Sequence, residues 1–573
     1  MSDEMITAGG AIFGKLKALG VEHVFVNSGT DFPPIVEGLV EAGRRALDLP
    51  EPIICPHESV AVGMAHGYYQ ISGKQAAVML HTNVGLANGA MGAINAWCDQ
   101  IPMILMSGRT PVTESRRFGA RTVPIGWGQE MFDQAALVRE CTKWEYELRF
   151  PEQVSEVFER AWAISESTPK GPVYLSLPRE VLCEQTAEYG LDQPSRMAPA
   201  IAAPEASSLA RAAALLAGAK SPLIIAQRGA GSAEAFAAFA PFVDSWALPV
   251  SQYWANTPTL ALSHPMHIGQ DPTDALAEAD VVLVIDSLAP WWPDQVQLHP
   301  DVTVIQLGAD PLFSRTPIRN FPAHVTLVGE TGPSLLALID TMSALPRDEV
   351  TLDVRRKAIA AESAATRAAL VATAERGKGG PMTKAWVAHC LGQAIKEQAG
   401  KGRKSTVFHE LGCPLAHLDV EDHKSYFQEP HSGGLGWGFP AALGGQLADP
   451  DRLVFATMGD GSYMFANPTA CHQIAEAHAL PVIVMILNNG EWGAVRQSVL
   501  GLYPTGEAKQ ANSVPLTSLR PSPDFTRTAE ASRAWTATVD QGEDLPAVLN
   551  EAIRVATTER RQVLLNIAIR PDN

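Results

Sequence analysis

The stretch from residue 454 to residue 492 constrains this chain most. It opens with the apolar run Val454-Phe455-Ala456-Thr457-Met458 and the loop Gly459-Asp460-Gly461-Ser462. A segment of helical character covers residues 469–478. The apolar run Pro481-Val482-Ile483-Val484-Met485-Ile486-Leu487 then leads into Asn488-Asn489-Gly490-Glu491-Trp492. Strand, loop, helix, strand, loop is the order of a βαβ unit. Its right-handed crossover makes the two strands parallel, so the loops after Met458 and Leu487 emerge at the same end of the sheet. Asp460 and Asn489 are therefore expected to meet.

That meeting has a chemistry. A carboxylate from Asp460, an amide oxygen from Asn489 and a backbone carbonyl near Glu491 suit a hard cation such as Mg2+, which leaves its other positions to phosphate and water. Gly459 and Gly461 let the backbone approach phosphates, Ser462 closes the same loop, and the following helix offers N-terminal N–H groups. The expected ligand is a metal diphosphate. Taken singly, Gly-Asp-Gly reads as an ordinary turn and Asn-Asn-Gly as a loop. Their placement at the ends of consecutive buried strands carries the inference.

At 573 residues the chain exceeds one hydrophobic core, since domains hold roughly 150 residues each. Hydrophobic residues at 46% and charged residues at 18% fit a globular α/β enzyme and exclude disorder. A net charge of −18 with no basic tail argues against a nucleic-acid partner. Seven scattered cysteines form no Cys-x-x-Cys pair or zinc spacing, as in reduced cytosolic proteins. Met1-Ser2-Asp3-Glu4 lacks a basic leader region, and apolar runs stay far short of the ~18 residues of a membrane span. The expectation is a cytoplasmic protein without a membrane partner.

Residues 1–187 alternate between strands and helices. Expected helices cover 8–19 and 86–97, with a third beginning near Ser59; expected strands cover 21–26, 52–55, 76–80, 103–106 and 173–178. Residues 189–204, rich in Ala and Pro, read as a linker. A second domain, 205–345, has expected strands at 223–226, 281–285 and 302–307. Its Gly229-Ala230-Gly231 is weak evidence for a nucleotide and reads as turn chemistry. Residues 352–376 form an expected solvated helix, and a third domain spans 381–573. No internal repeat is visible, although the first and third domains share a strand-helix rhythm. The fold class is α/β, with three doubly wound parallel-sheet domains.

Gly-Asp-Gly followed by Asn-Asn, here with 26 residues (462–487) between Gly461 and Asn488, resembles the signature of thiamine-diphosphate enzymes. The order of elements resembles the 2-oxo acid decarboxylase and acetolactate synthase superfamily over the whole chain. The resemblance implies an N-terminal domain holding the aminopyrimidine, a middle domain, and a C-terminal domain holding the diphosphate and Mg2+. It also implies a cofactor lying between subunits of a homodimer or homotetramer.

In Pro56-His57-Glu58-Ser59, Glu58 stands where the family carries the carboxyl that activates the cofactor through a pyrimidine nitrogen; structurally it could be an N-terminal helix residue favoured by the dipole. In Ser432-Gly433-Gly434-Leu435-Gly436-Trp437-Gly438, the resemblance assigns Leu435 to prop the cofactor rings and the Gly433 carbonyl to hold the amino group. His81 resembles the proton-transfer histidine of benzoylformate decarboxylases, although a lone His is usually structural. Thr30 or Asp31 occupies a first-turn position where relatives place a substrate contact, and Trp492 is a candidate pocket wall. The run from residue 87 to residue 97 also resembles the benzoylformate decarboxylase branch.

Departures stand beside these matches. Leu411-Gly412-Cys413 replaces hydroxyl residues expected against the diphosphate, so Gly412 and Cys413 would have to serve, by backbone or otherwise. The adjacent His pair of pyruvate decarboxylases is missing, and a flavin or ADP in the middle domain is not expected. The implied activity is decarboxylation of a small-molecule 2-oxo acid, with aldehyde release or transfer to a second carbonyl. The alternatives are an acetolactate-synthase-like carboligase, a 2-hydroxyacyl thioester lyase, and an inactive cofactor-binding scaffold. Retention of Glu58, Leu435, Asp460 and Asn489 argues against the last.

Overall fold

Three six-stranded sheets, parallel throughout, carry the chain in a computed structural model that describes residues 5–187, 190–511 and 513–571. The first is ordered Glu51–Ile54, His23–Val26, Ala76–Leu80, Met103–Arg109, Val173–Pro178, Glu145–Glu147. The third is ordered Tyr426–Gln428, Ser405–Glu410, Leu453–Gly459, Ile483–Asn488, Val563–Ala568, Trp535–Val539. Numbered by appearance within each sheet, both run 2-1-3-4-6-5, so the shared rhythm of the two outer domains reflects one topology. The middle sheet runs His267–Gly269, Val250–Ser251, Pro222–Ala226, Val281–Ile285, Thr303–Gly308, Val325–Val328, the 3-2-1-4-5-6 order of doubly wound folds. Strands such as Ala76–Leu80 and Val281–Ile285 are buried at every residue, because helices cover both faces of a parallel sheet.

The outer domains dock through Glu58–Ser72 and Gly438–Ala448. A methyl on Gly67 would lie 1.9 Å from the Ala441 carbonyl oxygen, so only glycine allows this backbone approach. In the middle domain, Arg228 and Asp286 follow the two strands at the switch point and pair at 3.3 Å across the crevice where doubly wound folds place nucleotides.

Several expected boundaries move. The helix expected at 86–97 begins earlier and runs Thr82–Cys98. The loop Gly459-Asp460-Gly461-Ser462 is in fact the entry of a short helix, Asp460–Phe465. The helix placed at 469–478 runs Pro468–Ala477, because Asn467, at φ +54 before a proline, breaks the chain between them. The N-terminal N–H groups expected behind the loop therefore belong to a helix of only six residues. Short strands at Glu145–Glu147, Val250–Ser251, His267–Gly269 and Val325–Val328 escaped sequence reading, as did the antiparallel pair Met5–Thr7 and Gln185–Ala187. The helix expected at 352–376 runs Glu349–Arg376, with Leu352, Ile359, Ser363 and Ala374 its buried residues. Residues 1–4 and Tyr189, on which the leader and linker readings partly rest, and the last two residues, 572 and 573, lie outside the described residues.

Candidate active site

Gly459 lies opposite Leu487 in parallel register, so the loops beyond them leave the same end of the third sheet. They touch: Asp460 Oδ2 accepts the Gly490 N–H at 3.0 Å. Asp460 is 2% exposed. Burial lifts its carboxyl to about 6, with the Glu491 charge adding to the rise. Asn489 Oδ1 accepts the Glu491 N–H at 3.0 Å, and the Asn489 carbonyl accepts from Arg520 Nη2 at 3.3 Å. Glu491 Oε1 and Ser462 Oγ are enclosed without a full hydrogen bond, Glu491 Oε1 lying 3.8 Å from Arg496 Nε and Ser462 beside the Glu410 carboxyl.

Enclosed oxygens short of a full hydrogen bond are uncommon and call for an explanation. Here they stand beside a buried carboxyl and an amide, a donor set that fits a hard cation carrying phosphate oxygens. Among the described residues no group of three or more His, Cys, Asp or Glu could hold a metal by itself. A metal at Asp460 and Asn489 would need further oxygens from its ligand, such as those of a diphosphate. Trp492 lays its ring against this loop: a methyl on Gly461 would come within 2.3 Å of the indole.

The loop carrying Gly433 and Leu435 is held from two sides. Glu410, fully buried at the end of Ser405–Glu410, accepts the Gly436 N–H at 2.7 Å and the Gly438 N–H at 2.6 Å and lies next to Ser462. Burial raises its carboxyl to about 7. Neighbouring Glu429 rises to about 8, through burial and then the Glu410 charge. From the N-terminal domain, Asn95 Nδ2 donates to the Gly434 carbonyl at 2.9 Å, and Asn95 Oδ1 accepts from Ser432 Oγ at 2.7 Å. Leu435 is half-buried.

Gly412 packs on the Thr457 carbonyl. The Cys413 thiol is fully buried in the apolar core with Leu415 and Phe455, and its N–H donates to Thr457 Oγ1 at 3.3 Å. The chain enters the core directly after Gly412.

In the N-terminal domain, Glu58 opens its helix, is 9% exposed, and accepts from Asn88 Nδ2 at 3.2 Å. His81 Nδ1 pairs with Asp31 Oδ1 in a short hydrogen bond, and His81 Nε2 lies 3.2 Å from Gln129 Nε2. The Asp31 hydrogen bond raises the His81 pKa, against the opposing effect of burial. A methyl on Gly29 would collide with the His81 ring at 2.2 Å, so the first turn is shaped around that imidazole. Thr30 is exposed and lines a narrow cavity with His81 and Gln129. Among the described residues no hydrogen bond or ion pair joins Glu58 to Asp460. Asn88, Asn95, Gln129 and Glu410 were not singled out from sequence; a polar Asn within a small-residue helix is the one signal that could have found the first two.

Three family models match in chain order: the N-terminal TPP binding domain of thiamine pyrophosphate enzymes at residues 6–137, the central domain at 209–338 and the C-terminal TPP binding domain at 410–567. A probable 2-ketoarginine decarboxylase of Pseudomonas aeruginosa is 27% identical over 558 residues, covering 94% of this chain and 90% of the relative. A benzoylformate decarboxylase of the same organism is 27% identical, covering 86% and 88%. In fold, the chain is similar to a thiamine-diphosphate-dependent 4-hydroxybenzoylformate decarboxylase of Rhodococcus jostii, with a TM-score of 0.77, 21% identity and 99% of each chain covered. Matched from its first domain to its last, the chain belongs to the thiamine pyrophosphate enzymes, within the superfamily of 2-oxo acid decarboxylases and acetolactate synthases.

Proposed function

We propose that this enzyme decarboxylates a 2-oxo acid with thiamine diphosphate and Mg2+ and releases the aldehyde, in the manner suggested by its benzoylformate decarboxylase relative. The proposed domains are 1–187, 205–345 and 381–573. When bound, the cofactor supplies a nucleophilic carbon and an electron sink that side chains lack. Asp460, Asn489 and the Glu491 region would hold the metal and diphosphate, together with Gly459, Gly461, Ser462 and Gly412. Leu435 and Gly433 would seat the rings, and Glu58 would exchange a proton with the pyrimidine.

The observation that carries aldehyde release is the Asp31–His81 pair. Asp31 fixes the Nδ1 proton of His81 and supports the imidazolium, which leaves Nε2 to deliver a proton toward the cavity shared with Thr30 and Gln129. Product analysis tests this reading: aldehyde from the unaltered enzyme and slowed aldehyde release by His81→Ala support it. Unchanged aldehyde release in that variant would remove His81 from the mechanism.

A second reading, transfer to another carbonyl or action on a 2-hydroxyacyl thioester, draws on a cavity of about 790 Å3 beside Asn489 and Glu491 that Arg496, Lys509 and Arg520 also line. Hydroxyketone as the main product would select it. A homodimer or homotetramer with the cofactor between subunits, as the family resemblance implies, is part of this proposal.

A further inference from the structure

A helix of six residues is not stable on its own, and Asp460–Phe465 carries Asp460, Gly461 and Ser462. Tyr463, in the same helix, ties it to the domain behind. Its side chain is wholly buried, and its hydroxyl lies 2.8 Å from Nε2 of His472, on the next helix, Pro468–Ala477. His472 is wholly buried as well. Its Nδ1 lies 2.7 Å from Oε1 of Gln562, which directly precedes the strand Val563–Ala568.

The network fixes the direction of every proton in this relay. Gln562 Nε2 donates to the His472 carbonyl at 3.1 Å and to the Ser532 carbonyl at 2.8 Å, so turning the amide round would set oxygen against oxygen. Gln562 Oε1 is therefore an acceptor, and His472 carries its proton on Nδ1. The other tautomer would place a bare Nδ1 against Oε1. Burial lowers His472 to about 4, so the ring is neutral and Nε2 accepts. The Tyr463 hydroxyl donates to it, and burial pushes that hydroxyl upward, so it keeps its proton.

The same rings reach the other half of the cradle. Phe439, next to the Gly438 that Glu410 holds, meets the His472 ring edge-on at 4.9 Å and stacks with Tyr463 at 6.3 Å; Phe525 meets Tyr463 edge-on at 5.4 Å. Apolar side chains of the same shape could fill this space at little cost in stability. What a fully satisfied buried chain of hydrogen bonds adds is one fixed arrangement. We propose that Tyr463, His472 and Gln562 are positioning residues of the diphosphate site, setting the place of the Asp460 helix and so how Asp460 and Ser462 receive a metal diphosphate. The inference rests on the assignment of that ligand to the Asp460 cluster made above.

The test titrates the full chain with thiamine diphosphate in the presence of Mg2+, followed by tryptophan emission, beside thermal unfolding of the cofactor-free protein. Tyr463→Phe keeps the ring and its packing and removes only the hydroxyl, so it should fold. His472→Asn keeps a donor toward Gln562 and removes the Nε2 acceptor. Each should weaken cofactor binding about tenfold or more at a temperature where the variant is still folded. The double variant should bind no more weakly than the poorer single one, because either change breaks the same joint. If His472→Asn does not fold, 15N-histidine NMR of the unaltered protein and Tyr463→Phe decides. His472 should be protonated on Nδ1 without titrating between about pH 5 and 8, and its Nε2 resonance should move in Tyr463→Phe. A lowered melting temperature with unchanged cofactor affinity would make the relay merely structural and overturn the proposal. So would a His472 ring protonated on Nε2 or titrating in that range. An unaltered protein that binds no thiamine diphosphate would defeat the assignment of the ligand itself, and the inference with it.

Discussion

Glu410 accepts the Gly438 N–H at 2.6 Å, and through this bond and its partner at Gly436 a buried carboxyl fixes the loop that carries Gly433 and Leu435. Two strands away in sequence, the same carboxyl lies beside Ser462 of the Asp460 loop. The two halves of the proposed cofactor cradle therefore share one anchor.

Removing that anchor should be felt in both. Glu410→Ala leaves the buried Gly438 N–H unpaired, which costs about 1–3 kcal/mol in stability, and frees the part-buried Gly436 N–H as well. Thermal unfolding should register the loss, and a thiamine-diphosphate titration should show weaker binding by about tenfold or more, as expected of about 1.4 kcal/mol. Glu410→Gln, which keeps an acceptor, should recover part of both. An unchanged cofactor affinity in Glu410→Ala would remove Glu410 as a positioning residue.

The buried pair predicts a pH dependence of the cofactor-free protein. Glu410 and Glu429 rise from the ordinary 4.5 to about 7 and about 8, so the folded state takes up protons that the unfolded chain has released. Their stabilisation is complete below about pH 4.5 and is lost as pH climbs through 7 and 8. Urea unfolding of Glu429→Gln between pH 5 and 8 should give a flatter stability profile than the unaltered protein; a parallel profile would contradict the shift.

Asp31 should set the titration of His81. With its folded value raised above 6.5, the protonated His81 pair stabilises the fold fully below about pH 6.5, and that contribution fades as pH rises through the folded value. Asp31→Asn should move the His81 resonance, followed by NMR, to lower pH and slow aldehyde release. A His81 titration unmoved by Asp31→Asn would dissolve the pair.

Gly461 and Trp492 should behave as a coupled pair. Gly461→Ala drives a methyl into the indole at 2.3 Å, an overpacking of about 1–3 kcal/mol. Trp492→Ala should relieve it, so the double variant should be more stable than the sum of the single losses. Strict additivity in thermal unfolding would show that the ring does not rest on the loop.

The βαβ unit and the convergence of its Asp460 and Asn489 loops were legible because each strand is a short, mostly apolar run and crossover handedness leaves one arrangement. Glycines misled where they serve close approach. Gly85 reads as a loop residue but lies inside Thr82–Cys98, where a methyl would press on Glu58 Oε1 at 3.3 Å; Gly461 makes room for Trp492. Asn95 and Gly434 are 339 positions apart in sequence, and no local pattern reports such a contact. Nothing local shows that the chain turns into the core after Gly412, which is why the burial of the Cys413 thiol was not legible.

The central claim is tested most directly by CO2 release from the purified enzyme with Mg2+ and thiamine diphosphate, across a panel of 2-oxo acids, with Glu58→Gln measured beside it. The account predicts release from at least one acid, reduced by several orders of magnitude in Glu58→Gln although that variant still binds the cofactor. No release from any acid despite tight cofactor binding, or release undiminished in Glu58→Gln, would contradict it.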